Sequence, residues 1–424
     1  MDQVLENKFI SIMAEELIPA MGCTEPIALA YAASRAMCEL GGEPKKIIAR
    51  CSGNMIKNVR CVSIPNSNGM IGIEAAVVLG AFGGDNTRGM EVLDSVVPRD
   101  IAKTAAFIKA GNCKVEYLDS DIPLHFIVEI TDGYDTVEVE VRNSHMNIVR
   151  ITKNGECICK TDCDDNLQTH DDRELLSIEA IKQFADEVDI AKIKKMIDKQ
   201  IRYNMDIAYE GISADYGLNI GKMIRACYPD GVVTRMKAYA ASASEARMSG
   251  CDMPVIINSG SGNQGIASTV PVIVYARENN IPQEKLYRAL AFSSLLTTHQ
   301  KDYIGKLSAF CGAVSASCAA CAAVTYIAGG TVEQIKATID NTLANIPGII
   351  CDGAKISCAA KIATSIDAGM MAHFLAMNGK AYKSFTGILK DEADETISCV
   401  GHIGKVGMRE TDREIVRLML GDEE

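Results

Sequence analysis

No run of lysine or arginine interrupts this 424-residue chain, whose formal charge is −12 from 43 basic and 55 acidic residues. Nucleic-acid binding draws on clustered cations that neutralise phosphates, so no nucleic-acid partner is expected. The acidic balance argues for solubility and little else. The N-terminus, Met1-Asp2-Gln3-Val4-Leu5-Glu6, is not a basic segment followed by an apolar one. Without such a leader the chain is expected to be cytoplasmic, where thiols stay reduced. Internal repeats and low-complexity tracts are also missing. Tryptophan is absent, and we attach no functional reading to that.

Against these absences stand 16 cysteines. Reduced thiols in that number imply metal or cluster binding, catalysis, or a core built from small residues. The chain is long enough for two or three domains with a sizeable core. Its 48% apolar and 23% charged content is that of an ordinary globular protein. Leu307 to Ala328 carries no charge and could span a bilayer. It is dominated by Ala, Ser, Cys and Gly, so a helix packed on all sides is expected and no membrane.

Residues 1–40 read as two helices flanking Gly22-Cys23. Between 45 and 174 strands mix with helices: Ile47 to Cys51, Lys114 to Tyr117, Leu124 to Thr131, Asp135 to Asn143 and Asn147 to Thr152 are strand-like. Ile71 to Phe82 and Arg99 to Ala110 read as helices, and Cys157 to Arg173 as a polar surface loop. After Leu175 the texture is helical, and Thr386 to Glu424 mixes glycine with charge. The expectation is an α+β fold. A mostly helical catalytic domain, 1–44 plus 175–424, would carry an inserted α/β domain, 45–174.

Cys23, in Met21-Gly22-Cys23-Thr24-Glu25-Pro26, falls just before a helix. Thr24 or Glu25 can cap that helix, with Pro26 at its first position. The helix start favours thiolate, which can serve as nucleophile, base or metal ligand. The competing reading is a small buried hydrophobe. Cys311 opens a small-residue helix, and Cys351 and Cys358 bracket a loop-to-helix passage containing Gly353. Thiolates are soft ligands for zinc, copper(I) or iron–sulfur clusters, but the spacing is neither that of a ferredoxin nor of a zinc ribbon. Cys318-Ala319-Ala320-Cys321 lies mid-helix and reads as core filling. Cys157, Cys159 and Cys163 read as incidental.

Ser259-Gly260-Ser261-Gly262-Asn263-Gln264-Gly265 follows a strand-like Val255-Ile256-Ile257 and precedes a helix. Such a loop offers backbone N–H groups to an anion such as a carboxylate. It lacks both the Gly-Lys-Ser/Thr element and the GxGxxG spacing, and a plain glycine-rich turn is the alternative. Asn54, Lys57 and His145 lie at strand ends as polar candidates for substrate binding. His299 and Lys301 follow an apolar helix and could meet an acidic group, or could form a solvated helix end.

Taken together, Gly22-Cys23-Thr24-Glu25-Pro26, the Ser259–Gly265 loop and Cys311 … Cys351-Asp352-Gly353-Ala354-Lys355 … Cys358 resemble the L-cysteine desulfidase family, related to the iron–sulfur L-serine dehydratase alpha chain. The resemblance covers nearly the full length. It implies a [4Fe–4S] cluster, no pyridoxal phosphate, a small amino-acid substrate and a homodimer. Matched position by position, Cys311, Cys351 and Cys358 are the implied cluster ligands. Cys23 is the implied base, or else an exchangeable fourth ligand. Activity would be β-elimination from L-cysteine to pyruvate, ammonia and hydrogen sulfide. The rival activities are serine dehydration and non-catalytic thiol or metal binding.

Overall fold

The computed structural model describes residues 1–161, 172–305 and 307–421. Cys163 lies outside them. Helix α1 (Gln3–Glu16) is capped by Asp2, whose side chain accepts from the Val4 amide at 2.9 Å. Strand β1 (Pro19–Met21) leads to α2 (Thr24–Leu40), which ends at Gly41 in the left-handed conformation, φ 71. Then come β2 (Lys46–Cys51), α3 (Gly53–Val59), α4 (Gly72–Gly83) and α5 (Pro98–Lys109). Strands β3 (Cys113–Tyr117), β4 (His125–Thr131), β5 (Thr136–Arg142), β6 (Ile148–Lys153) and β7 (Glu156–Lys160) follow. The expected loop from Cys157 thus begins inside a strand, paired to β6 in antiparallel register.

The sheet runs β3-β2-β4-β5-β6-β7, with β2 and β3 parallel and the other pairs antiparallel. Strand alternation gives it two unlike faces. Phe126, Val128, Ile130, Val137, Val139 and Val141 are fully buried. Arg50, by contrast, reaches Glu129 at 2.5 Å and Glu138 at 3.1 Å. Helix α2 packs on β4, β5 and α4. Its alanines permit this: a Cβ on Gly80 of α4 would come 2.4 Å from the Ala30 Cα.

The later chain is helical: α6 (Ile178–Glu187), α7 (Ile190–Ser213), α8 (Ile220–Cys227) and α9 (Val232–Met248) precede the short β8 (Pro254–Ile256). Beyond it lie α10 (Gly262–Glu278), α11 (Gln283–Ile304), α12 (Gly312–Ile327), α13 (Val332–Asn345), α14 (Cys358–Met377), α15 (Ala393–His402) and α16 (Arg409–Leu420). The mostly helical α+β class is the one expected. No helix among the described residues is long and apolar enough to cross a membrane. Cys318 and Cys321 are fully buried in α12, where a Cβ on Gly369 of α14 would meet the Cys321 Sγ at 2.6 Å. They fill the core, as their setting suggested.

Three differences bear on the site. Residues 1–44 were expected to pack with the late helices. Helix α1 does pack on α7 and α11 and β1 pairs with β8, but α2 sits on the sheet. Helix α12 starts at Gly312, not Leu307. The Cys311 amide donates to the Ile349 carbonyl at 2.8 Å and the Cys351 amide to the Ala309 carbonyl at 2.7 Å, which holds the preceding segment extended. Lastly, the C-terminal residues form α15 and α16, and α16 docks on α3.

Candidate active site

Two junctions from distant parts of the chain meet because β1 pairs with β8. Pro19 lies opposite Ile256 and Met21 opposite Pro254, so the segment after Met21 runs beside the loop after Ile256. The Thr24 hydroxyl donates to the Gly260 carbonyl at 2.9 Å and ties the two together. The short Phe310–Ile350 bridge brings Cys311 and Cys351 to the same place. Together they enclose a cavity of ≈ 90 Å³.

Cys23, Cys311, Cys351 and Cys358 all line that cavity, as do His145, Lys301, Ser259, Gly260, Ser261, Asn263 and Gln264. Four of the sequence candidates do not. Asn54 Nδ2 donates to Asp412 Oδ2 at 2.6 Å, and the Lys57 ammonium pairs with the same carboxylate, so both side chains anchor α16. It is Asn58, one turn on, that lines the cavity. Gly262 is packed beneath Arg247, where a Cβ would lie 2.4 Å from Nε. His299 also turns away and meets Asp394 Oδ1 at 2.6 Å.

Cys23 is itself the N-cap of α2, so neither Thr24 nor Glu25 caps the helix and Pro26 lies inside the first turn. Its Sγ rests 4.0 Å from Met248 Sδ, in a small apolar cluster with Val62 and Cys358. Burial pushes its thiol up to about 12; Arg247 draws it down while Glu25 and Cys358 push it further up. The helix start therefore does not make it a thiolate in this state, because desolvation outweighs the dipole. Cys351 is the opposite case. The neighbouring Cys311 thiol, together with the charges of Lys57 and Lys361, brings it down to about 6 against the effect of burial. Cys311 is correspondingly held well above the ordinary thiol range.

Lys301 is buried, and burial lowers its ammonium to about 8, against the pull of Cys351 and Cys311. Glu25 is buried too. Desolvation alone would raise its carboxyl, yet the nearby His145 and the Thr24 hydroxyl hold it below the usual range. His145 Nε2 stands 4.0 Å from Glu25 Oε1, too far for a hydrogen bond. A Cβ on Gly260 would come 3.1 Å from the imidazole, so the left-handed Gly260, φ 77, seats the ring. Glu25 and Arg247 were both missed as site residues in the sequence. Glu25 stood in the quoted motif and Arg247 in an alanine-rich helix, where a charge with nowhere to go was the available signal.

Three cavity-lining side chains carry buried polar atoms without a partner: His145 Nε2, Arg247 Nε and Gln264 Oε1. Orphans of this kind are rare and mark a place where something polar binds. Among the described residues no three His, Cys, Asp or Glu side chains converge tightly enough for a single metal ion. The three thiols Cys311, Cys351 and Cys358 instead suit a larger group that offers each sulfur its own metal atom, as an iron–sulfur cluster does. Gly353, at φ 98, lets their loop press against the Lys57 carbonyl, which a Cβ would approach to 2.1 Å.

Residues 87–417 match the family model described as serine dehydratase alpha chain. Over 417 residues the chain is 44% identical to a UPF0597 protein of Lachnoclostridium phytofermentans, covering 98% of this chain and 99% of that one. A UPF0597 protein of Desulfitobacterium hafniense is 44% identical over 413 residues, 97% of this chain and 96% of its own. One from Treponema denticola is 42% identical over 429 residues, covering all of both.

Proposed function

The chain belongs to the serine dehydratase alpha chain family, and on that premise we propose that it is a [4Fe–4S]-dependent lyase that eliminates the β-substituent of L-cysteine. The observation that carries this reading is the cavity itself, whose lining brings three soft thiols together with Cys23 and with unpartnered polar groups. A cluster held by Cys311, Cys351 and Cys358 would supply an iron that, as a Lewis acid, makes the sulfur a better leaving group.

The chain's own residues supply the rest. Cys23, as thiolate, takes the α-proton. Its high proton affinity makes the ionised form a strong base, and Arg247 is the group that favours ionisation. The electrons of the C–H bond form the double bond as the C–S bond breaks, and hydrosulfide leaves. The 2-aminoacrylate that remains tautomerises and hydrolyses to pyruvate and ammonia. The first turn of α10, whose amides lack intrahelical partners, starts beside the cavity-lining Ser261 and would add to the anion-binding capacity there. Lys301 lies by Cys311 and Cys351, where its charge offsets that of the thiolates.

A second reading, dehydration of L-serine, is favoured by the description of the family model. It uses the same residues but requires a hydroxyl to leave in place of a thiolate. Anaerobic reconstitution with iron and sulfide tests the common ground. A brown protein with broad visible absorption that forms pyruvate, with both properties lost in Cys351→Ser, is the expected result. Zinc in place of iron, with no pyruvate from either amino acid, would sink the elimination reading and leave a thiol-rich binding protein.

A further inference from the structure

Two charged groups of the cavity, beyond their effect on the Cys23 thiol, have no substrate group assigned to them. Arg247, in the last turn of α9, is 3% exposed, and among the described residues no carboxylate pairs with it. Its Nη1 donates to Asn263 Oδ1 at 3.1 Å, and the same oxygen accepts from the Ser244 hydroxyl at 3.1 Å. These contacts fix the guanidinium but leave its charge uncompensated and its Nε unpartnered. Burying a charge in that condition is costly, and an anion beside it removes the cost. Lys301, likewise without a carboxylate partner among the described residues, has Cys311 and Cys351 beside it; Arg247 has Cys23 and Cys358.

Glu25 is the counterpart. Its Oε2 lies 3.0 Å from the Thr24 hydroxyl, whose one proton it shares with the Gly260 carbonyl, while Oε1 faces His145 across a gap of 4.0 Å. That oxygen is placed to accept from a cation. Both groups lie close enough to Cys23 to act on its thiol with opposite sign. A buried cation and a buried anion lining one cavity, both within reach of one sulfur, form a receptor for a zwitterion.

We propose that Arg247 binds the α-carboxylate and Glu25 the α-ammonium of an amino acid, so that the α-C–H bond points at Cys23. The proposal rests on reading the cavity as an amino-acid site, and it adds enantiomer choice. With both charged groups fixed and the side chain directed to the thiols of Cys311, Cys351 and Cys358, only one hand of the substrate presents its proton to Cys23.

Calorimetric titration of the anaerobically reconstituted protein with three non-substrates tests it. L-alanine carries both charges and no leaving group, 3-mercaptopropionate lacks the ammonium, and cysteamine lacks the carboxylate. Arg247→Gln should weaken L-alanine and 3-mercaptopropionate by about 10- to 100-fold and leave cysteamine alone. Glu25→Gln should weaken L-alanine and cysteamine by a similar factor and leave 3-mercaptopropionate alone. Arg247→Lys, which keeps the charge and loses the fork, should repeat the arginine pattern with a smaller factor. Loss of all three ligands alike in these variants, or of none, overturns the proposal. This ligand pattern with no pyruvate from cysteine or serine would spare the proposal and sink the elimination reading. Pyruvate formation without the pattern would do the reverse.

Discussion

Replacing Asp412 by Asn should cost the fold about 3 kcal/mol. The Lys57 side chain is 0% exposed and Asp412, its partner on α16, 13%. Asparagine keeps the shape and can still meet Asn54, but it leaves a buried ammonium without its counter-charge. Removing one partner of such a pair costs about 3–5 kcal/mol, and the partial exposure of Asp412 puts this case at the lower end. The effect should reach the site, because Lys57 Nζ also donates to the Ser308 carbonyl at 3.4 Å and its own carbonyl backs Gly353. Iron retention should therefore fall with stability. Without tryptophan, urea unfolding followed by circular dichroism is the assay. The double variant Lys57→Met, Asp412→Leu should recover most of the loss, since apolar replacement of a buried pair is roughly neutral. A cost for Asp412→Asn below about 1 kcal/mol, the worth of a surface pair, would refute the reasoning, as would failure of the double variant to recover.

Three further outcomes are expected. Cys23→Ala should keep its iron while pyruvate formation falls by at least about 100-fold; near-normal turnover would remove Cys23 from the base role. Gly353→Ala adds a Cβ 2.1 Å from the Lys57 carbonyl at φ 98, so it should fold with about 1–3 kcal/mol of local strain and bind less iron; wild-type iron content would contradict this. His373 is buried beside the Thr325 hydroxyl at 2.9 Å, and burial lowers its pKa from 6.5 to about 4. Between those values the unfolded chain takes up a proton that the folded one refuses, so stability falls as pH drops through that window. His373→Gln should flatten the decline in melting temperature there, and an unchanged slope would show that His373 does not contribute.

Much of the scaffold could be read along the chain, because apolar alternation marked the sheet and small residues marked the packed helices. Val137, Val139 and Val141 alternate in the sequence and are fully buried in β5. The cysteines at loop-to-helix junctions stood out because soft ligands in glycine-rich turns are chemically unusual. What escaped depends on distant partners. Nothing near Asn54 or Lys57 announces an aspartate more than 350 residues away. Helix α16 buries one side chain, Val416, and its apolar residues were hidden among the charges of a segment read as a tail. Arg247 became legible as a binding group only once Asn263, Cys23 and the cavity surrounded it.

Turnover of L-cysteine and L-serine side by side by the anaerobically reconstituted protein, with sulfide and pyruvate both quantified, tests the central claim most directly. Equal amounts of sulfide and pyruvate from L-cysteine, abolished in Cys351→Ser, is the predicted result. Pyruvate from L-serine with little or none from L-cysteine would contradict it.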